Sequence, residues 1–367
     1  MINRKRTRQI RVGDVRIGGG AAISIQSMTK VETSDIRACI SQIKALEDAG
    51  CEIVRVAVKT LKDALGIKDI KRAIKIPLVA DIHFNYRLAL TAIKSGADKI
   101  RLNPGNIRKR EEIAQVARAA KKAHIPIRIG VNSGSVNTVK GDRLLFLKEA
   151  YKKSSLSPLF SAGSALTNSA LSCIKIFEVM DFHDIIISLK ASDVVKTVEA
   201  YREIAGLCDY PLHLGVTASG PCDSGIVKSS IGIGALLLDG IGDTIRVSLT
   251  ADPVEEVIAA KRILSSLGLR QFGPEIISCP TCGRCQIDLA GIVKDLEHKL
   301  SAIRYPLNAG RKLSIALMGC EVNGPGEAKE ADVGIAFGKN FGMLFEKGKI
   351  LKKISVSNAV KELLKLI

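Results

Sequence analysis

Two cysteine-bearing segments hold the densest chemistry in the chain: Cys279-Pro-Thr-Cys282-Gly-Arg-Cys285, and Met318-Gly-Cys320-Glu-Val-Asn-Gly-Pro-Gly-Glu327. Thiolates select zinc or iron–sulfur clusters over hard, oxygen-loving ions, and a C-x-x-C pair brings two sulfurs to one centre from a single tight turn. The Gly-rich stretch after Cys320 can bend the Glu327 carboxylate back toward the same centre. Cys279, Cys282 and Cys320 leave one position of a four-ligand site open, and both Cys285 and Glu327 could fill it. Four sulfurs would suit a closed zinc tetrahedron, while C-x-x-C-x-x-C runs also hold cubane clusters. Spacing alone does not choose between the metals.

The elements that must carry such a site are read from periodicity. Residues 20 to 250 alternate short β-branched runs with amphipathic helical stretches, the pattern of a parallel sheet built from βα units. Eight strands are expected, over 22–28, 52–58, 77–82, 98–102, 125–131, 184–190, 210–216 and 243–249. A helix is expected over 34–49, capped by Thr33 or Ser34 and stopped by Gly50. Eight units in about 230 residues predict a (β/α)8 barrel of the TIM type. Such barrels place their chemistry at the carboxyl ends of the strands. There the sequence puts Arg55, Asp81 and His83, Arg101 and Asn103, Arg128 and Asn132, Lys190, His213 and Thr217, and Arg246 and Ser248. Asp81 is the one acid in those segments, so most of the positive charge needs a counter-charge from outside. Guanidinium forks match phosphate oxygens bidentately, and a ligand with two phosphate groups is the simplest occupant. Asp81 beside His83 could orient a substrate hydroxyl or shuttle a proton. A cationic mouth beside a thiolate centre tips the metal toward an electron carrier acting on an anionic substrate. The glycines of Ile231-Gly-Ile-Gly follow no strand and read as close-packing positions in a helix, not as a dinucleotide fingerprint.

Composition narrows the classes further. The 367 residues, 46% hydrophobic, are enough for one large core and a smaller second one. A boundary falls at Gly268 and Gly273-Pro274, giving a barrel domain over 1–270 and a small α+β domain over 271–367. The second domain is expected to hold helices near 287–303 and 358–367, strands at 312–318 and 331–337, and a Gly-punctuated hairpin. Nine cysteines, an odd number clustered near one end, do not form a secreted disulfide framework and suit a reducing cytoplasm. Residues 10–17 read as a short hairpin rather than a signal-peptide core, and no run is long enough to span a membrane. Lys and Arg outnumber acids 55 to 37, a formal charge of +18 that suggests anionic partners. Nucleic acid is disfavoured, because aromatics are 4%, Trp is absent and the cations are scattered.

These residues resemble a known family, bacterial 4-hydroxy-3-methylbut-2-en-1-yl diphosphate synthase of the non-mevalonate isoprenoid route, nearly from end to end. The matching stretches include Gln26-Ser-Met-Thr, Leu78-Val-Ala-Asp-Ile-His-Phe, Asn103-Pro-Gly-Asn, Pro126-Ile-Arg-Ile-Gly-Val-Asn, Leu212-His-Leu-Gly-Val-Thr, Gly242-Asp-Thr-Ile-Arg-Val-Ser-Leu and the two cysteine segments. The resemblance implies a two-electron reductive ring opening of 2-C-methyl-D-erythritol 2,4-cyclodiphosphate with loss of water, electrons coming from flavodoxin or ferredoxin. It implies a 4Fe-4S cluster on Cys279, Cys282, Cys320 and Glu327. The family's diphosphate contacts fall on Arg55, Arg101, Arg128, Asn132, Lys190, Arg246 and Ser248, with His213 nearby, and Asp81, His83 and Glu327 take the catalytic roles. It also implies a head-to-tail homodimer in which one subunit's cluster domain closes over the other's barrel. The chain departs from the family pattern twice. Ala218 stands where a carboxylate proposed for proton delivery is common, leaving His83, His213 or a water to act, and Cys285 is an added thiol.

Overall fold

The computed structural model describes residues 2–103, 107, 109–132, 165–217, 219–301, 313–320, 326 and 330–367. The chain forms two compact units, Met1–Arg270 and Gln271–Ile367.

In the first unit the alternating segment near the start forms the expected hairpin, β1 (Ile10–Val12) with β2 (Val15–Ile17). Eight parallel strands follow: β3 (Ser24–Met28), β4 (Ile53–Val58), β5 (Leu78–Ile82), β6 (Lys99–Leu102), β7 (Ile127–Asn132), β8 (Ile185–Lys190), β9 (His213–Leu214) and β10 (Thr244–Ile245). They run in the order β8-β7-β6-β5-β4-β3-β10-β9, and a parallel bridge from Ile187 to Leu212 joins the two ends into a ring. The (β/α)8 barrel read from the sequence is therefore present. Strands β5, β6 and β8 are buried along their whole length, because helices cover one face and inward side chains fill the other. Ile10, Val12 and Ile17 of the hairpin pack on Ile53, Val79 and Ile186, at or near the amino ends of their strands, and plug that end with apolar surface.

Three local expectations are corrected. The first helix, Ile36–Asp48, is capped by Asp35, whose carboxylate accepts from the Ala38 N–H at 3.1 Å. Thr33 is unavailable, since its hydroxyl donates to the Ala57 carbonyl at 2.6 Å. Strands β9 and β10 are much shorter than 210–216 and 243–249, because side chains occupy the backbone groups that a ladder would use. The Tyr201 hydroxyl accepts from the Leu189 N–H at 3.0 Å and donates to the His213 carbonyl, bridging β8 and β9, while the Glu256 carboxylate accepts from the Leu249 N–H at 3.1 Å. In the helix Cys222–Leu238, Gly232 is a close-packing position, where a Cβ would lie 2.8 Å from Val216, but Gly234 faces open space.

The second unit is a five-stranded sheet in sequence order: β11 (Glu275–Ser278), β12 (Ser314–Met318), β13 (Val333–Phe337), β14 (Phe341–Glu346) and β15 (Lys349–Ser355). The first three are parallel and the last two antiparallel. The helices Leu289–Ser301 and Ala359–Leu364 bury Leu296, Leu300 and Leu363 against Ile315, Leu317 and Ile335. Strands β11 and β12 end side by side, Ser278 opposite Leu317, so both cysteine segments leave the same end of the sheet.

Candidate active site

Period-two alternation turns every second side chain of a barrel strand into the lumen. It sends Arg55, Asp81, Arg101 and Arg128 inward from β4 to β7, where the Asp81 carboxylate is the hub. Its Oδ1 lies 3.1 Å from Arg101 Nη1, and its Oδ2 lies 3.7 Å from Arg55 Nε and 3.3 Å from His83 Nε2. Arg128 Nη1 donates to the Gln26 side-chain oxygen at 3.0 Å. Lys190 ends β8 in register with Asn132. His213 is fully buried, its Nδ1 3.4 Å from the Thr244 hydroxyl.

The second acid of the site escaped the strand-by-strand reading. Glu256, on the helix Pro253–Ser266, is buried with its Oε2 3.6 Å from Arg246 Nη2 and 3.1 Å from the Ser27 hydroxyl. Its Oε1 lies 3.2 Å from Lys30 Nζ. Lys99, at the start of β6, is a further buried cation that sequence reasoning passed over, although its position two residues before Arg101 gives it the same inward face. Gln26, the partner of Arg128, was visible only as part of a motif.

Six basic groups, Arg55, Lys99, Arg101, Arg128, Lys190 and Arg246, thus share the lumen with two described carboxylates, Asp81 and Glu256. Burial, then repulsion from Arg101, lowers the Arg128 guanidinium to about 9 against the pull of Asp81. Burial first, then Arg246 and Arg128, pushes the Lys190 amine well below its usual value. His213 is held well below the usual imidazole range by burial, Arg128 and Lys190. Burial alone would raise the Asp81 carboxyl, but Arg55, the bond from His83 and Arg101 outweigh it and keep Asp81 ionised. Several polar atoms remain buried without a partner, among them Gln26 Nε2, Arg101 Nε, Arg128 Nε, Arg246 Nε and Ser248 Oγ. Unmet donors of this kind cost on the order of 1–3 kcal/mol each when dry, so they point to acceptors brought by water or ligand.

Two glycines make room for the cations. A Cβ at Gly130 would lie 2.5 Å from Arg101 Nε, and one at Gly215 would lie 2.7 Å from Lys190 Nζ. The guanidinium of Arg101 crosses the bare Gly130 backbone and reaches its carbonyl at 3.5 Å.

In the second unit Cys279 follows β11, its N–H donating to the Leu317 carbonyl at 3.2 Å, and its Sγ accepts from the Gly319 N–H at 3.2 Å. Thr281 adopts a φ of 65°, turning the chain between Cys279 and the exposed Cys282. Cys285 closes that turn through its N–H to the Cys282 carbonyl at 2.9 Å. Its sulfur faces the same glycine, since a Cβ at Gly319 would lie 2.6 Å from Cys285 Sγ and 3.4 Å from Cys279 Sγ. Cys320 comes next along the chain. Glu327 and Ala218 lie outside the described residues, and among the described residues no three His, Cys, Asp or Glu side chains group closely enough to hold a metal.

Fold and lumen together define a (β/α)8-barrel protein with a strongly cationic lumen, carried on one chain with a thiol-bearing α+β unit. Residues 7–261 match the GcpE TIM-barrel domain and residues 275–367 the GcpE protein C-terminal domain, and the chain belongs to this GcpE family. It is 51% identical to the 4-hydroxy-3-methylbut-2-en-1-yl diphosphate synthase (flavodoxin) of Clostridium perfringens, over 100% of this chain and 99% of that protein. It is 53% identical to the protein of the same name from Thermodesulfovibrio yellowstonii, again over 100% and 99%. The barrel also resembles the solved dihydropteroate synthase of Stenotrophomonas maltophilia, with a TM-score of 0.50, 12% identity and coverage of 71% of this chain and 98% of that one, a likeness of fold alone. The resemblance read from the motifs is thus borne out.

Proposed function

We propose that the chain catalyses the reductive ring opening of 2-C-methyl-D-erythritol 2,4-cyclodiphosphate to 4-hydroxy-3-methylbut-2-enyl diphosphate, a step of isoprenoid biosynthesis. The observation that carries this reading is the lumen itself, with five buried basic groups and the partly buried Arg246 against two described carboxylates, and unmet donors on three of the arginines. The family membership and the names of the relatives point the same way. Two electrons and one proton are consumed. The C–O bond that closes the ring breaks toward the phosphate, the neighbouring hydroxyl leaves as water, and the freed terminal phosphate gains one negative charge. A lumen with surplus positive charge favours that developing charge over the starting ring, which is where electrostatic catalysis acts.

Arg101, Arg128, Arg246 and Lys190, with Arg55, Asn132 and Ser248, would hold the two phosphate groups. Asp81, kept ionised by its guanidinium partners, cannot itself supply a proton. It fixes His83, which is half-exposed at the end of β5 and carries the ring able to hand a proton to the leaving hydroxyl. His213, neutral among cations, can orient the ligand but is a poor acid. His83 therefore takes the role that a carboxylate at position 218 would otherwise fill.

Cys279, Cys282 and Cys320, with Glu327, would hold a 4Fe-4S cluster. The two strand ends bring thiols to one rim, and the Gly319 N–H already donates to Cys279 Sγ as it would to a bound thiolate. When bound, the cluster supplies the two electrons. Flavodoxin, which the relatives' names carry, is the proposed donor, and a homodimer in the cytoplasm the proposed working form. The test is anaerobic turnover of the cyclic diphosphate with reduced flavodoxin, followed by mass spectrometry. Product from wild type, with His83→Ala still binding but not turning over, supports the reading. Binding without any reductive product would overturn it in favour of non-redox chemistry on a phosphorylated ligand.

A further inference from the structure

Lys99 is a buried ionisable group that the proposed reaction does not use. It opens β6, is 0% exposed, and its Nζ has no hydrogen-bond partner. Its register partner on β5 is Val79, a member of the apolar plug formed by the amino-terminal hairpin. From below, therefore, it meets hydrocarbon. From above it meets charge of its own sign, Arg128 and Arg55 acting on it. The two carboxylates facing the lumen are already engaged, Asp81 by Arg55, Arg101 and His83, and Glu256 by Arg246 and Lys30. His213, the one imidazole buried in the lumen, is held neutral. Among the described residues no hydrogen-bond partner stabilises an ammonium at Lys99.

We propose that Lys99 is the group through which the barrel takes up a proton when a diphosphate-bearing anion binds, so that ligand binding and protonation of this buried amine are one linked event. The inference rests on the anion-binding reading given above. Guanidinium groups keep their protons under almost any pressure, whereas an alkylamine sheds one when it is dry and surrounded by cations. The surplus charge of the free lumen is therefore relieved at the lysines. Burial first, then Arg128 and Arg55, pushes the Lys99 amine well below its usual value. A ligand carrying two phosphates offsets most of the positive charge above it, and the amine takes a proton from solvent to become an ammonium. Lys190 is under similar pressure but lies at the carboxyl end of its strand, among the proposed phosphate contacts. Lys99 lies one inward position deeper than Arg101 and acts without touching the ligand.

The sign of the effect follows. The bound-state value of Lys99 exceeds the free-state value, so uptake occurs at pH values between the two. Affinity is greatest below the free-state value and is lost as pH rises through the bound-state value, by up to about tenfold per pH unit for each linked proton.

The experiment is isothermal titration calorimetry on the full chain with 2-C-methyl-D-erythritol 2,4-cyclodiphosphate, whose phosphodiesters do not titrate near neutrality. Repeating the titration in Tris and in HEPES, whose ionisation enthalpies differ, counts the protons taken up. Wild type is expected to take up protons, and Lys99→Met to take up fewer and to show a flatter dependence of Kd on pH. If Lys99→Met fails to fold, Lys99→Gln serves in its place, and the wild-type count remains informative by itself. Binding with no proton uptake by wild type, or with the same uptake by the variant, would overturn the inference and leave the anion site standing. Absence of binding would overturn the anion site and this inference together.

Discussion

Gly130→Ala displaces one guanidinium of the lumen without changing a single charge. The new Cβ would lie 2.5 Å from Arg101 Nε, 2.9 Å from Nη2 and 3.1 Å from Cζ. Carbon and nitrogen pack at about 3.5 Å or more, so the Arg101 head must move by roughly 1 Å. Its bond to Asp81, now 3.1 Å, would then stretch past the range in which it counts as a hydrogen bond. A charge-assisted contact is worth about 1.5–3 kcal/mol, so affinity for the cyclic diphosphate should fall by roughly 10- to 150-fold. The overpacked strand should also lose about 1–3 kcal/mol of stability. Gly206→Ala is the matched control. It lies on the exposed face of the helix Val194–Leu207 with nothing within 4 Å of its added Cβ. It should leave affinity unchanged and add up to about 1 kcal/mol of stability. Calorimetric binding and thermal unfolding of the three proteins decide the matter. Wild-type affinity in a folded Gly130→Ala protein would refute the assignment of Arg101 to the ligand.

Asp81 ionises far more readily in the folded chain than when unfolded, so its contribution to stability is complete above the unfolded value of about 4 and is lost as pH falls below it. Asp81→Asn should be less stable at neutral pH and show a shallower loss on acidification, read by circular dichroism; parallel acid curves would contradict this. At the thiol site, Cys285→Ser should keep iron and turnover, whereas Glu327→Ala should keep the fold and lose turnover, because oxygen ligation leaves an iron able to exchange ligands. Iron lost from Cys285→Ser with full turnover in Glu327→Ala would exchange the two roles. Arg246→Ala should weaken ligand binding by tenfold or more, while Lys122→Ala on the exposed face of its helix should not; equal small losses would remove the lumen as the anion site.

The barrel and its cations were legible in the sequence because each lies on a strand, where a period of two fixes the inward face. Arg55, Asp81, Arg101, Arg128 and Lys190 could be named from strand position alone. Glu256 could not, because it reaches the lumen from a helix, and a helical carboxylate among exposed Glu255-type neighbours carries no mark of burial. Lys99 was legible in principle, sharing a face with Arg101, but at the start of a strand a lysine reads as solvated until the hairpin plug is known to cover that end. The shortened β9 and β10 depend on Tyr201 and Glu256 capturing backbone groups, long-range contacts without a local sequence signal. The cap of the first helix shifted from Thr33 to Asp35 for a similar reason, since a distant carbonyl, that of Ala57, claims the threonine hydroxyl.

The proposed function requires that electrons delivered at the thiol site reach an anion held in the barrel. Electron paramagnetic resonance of the anaerobically purified, reduced full-length protein, recorded with and without the cyclic diphosphate and paired with metal analysis, tests it most directly. The expected result is iron with acid-labile sulfide and a cluster signal that changes when the cyclic diphosphate is added. Zinc in place of iron, or a cluster signal indifferent to saturating ligand, would contradict it.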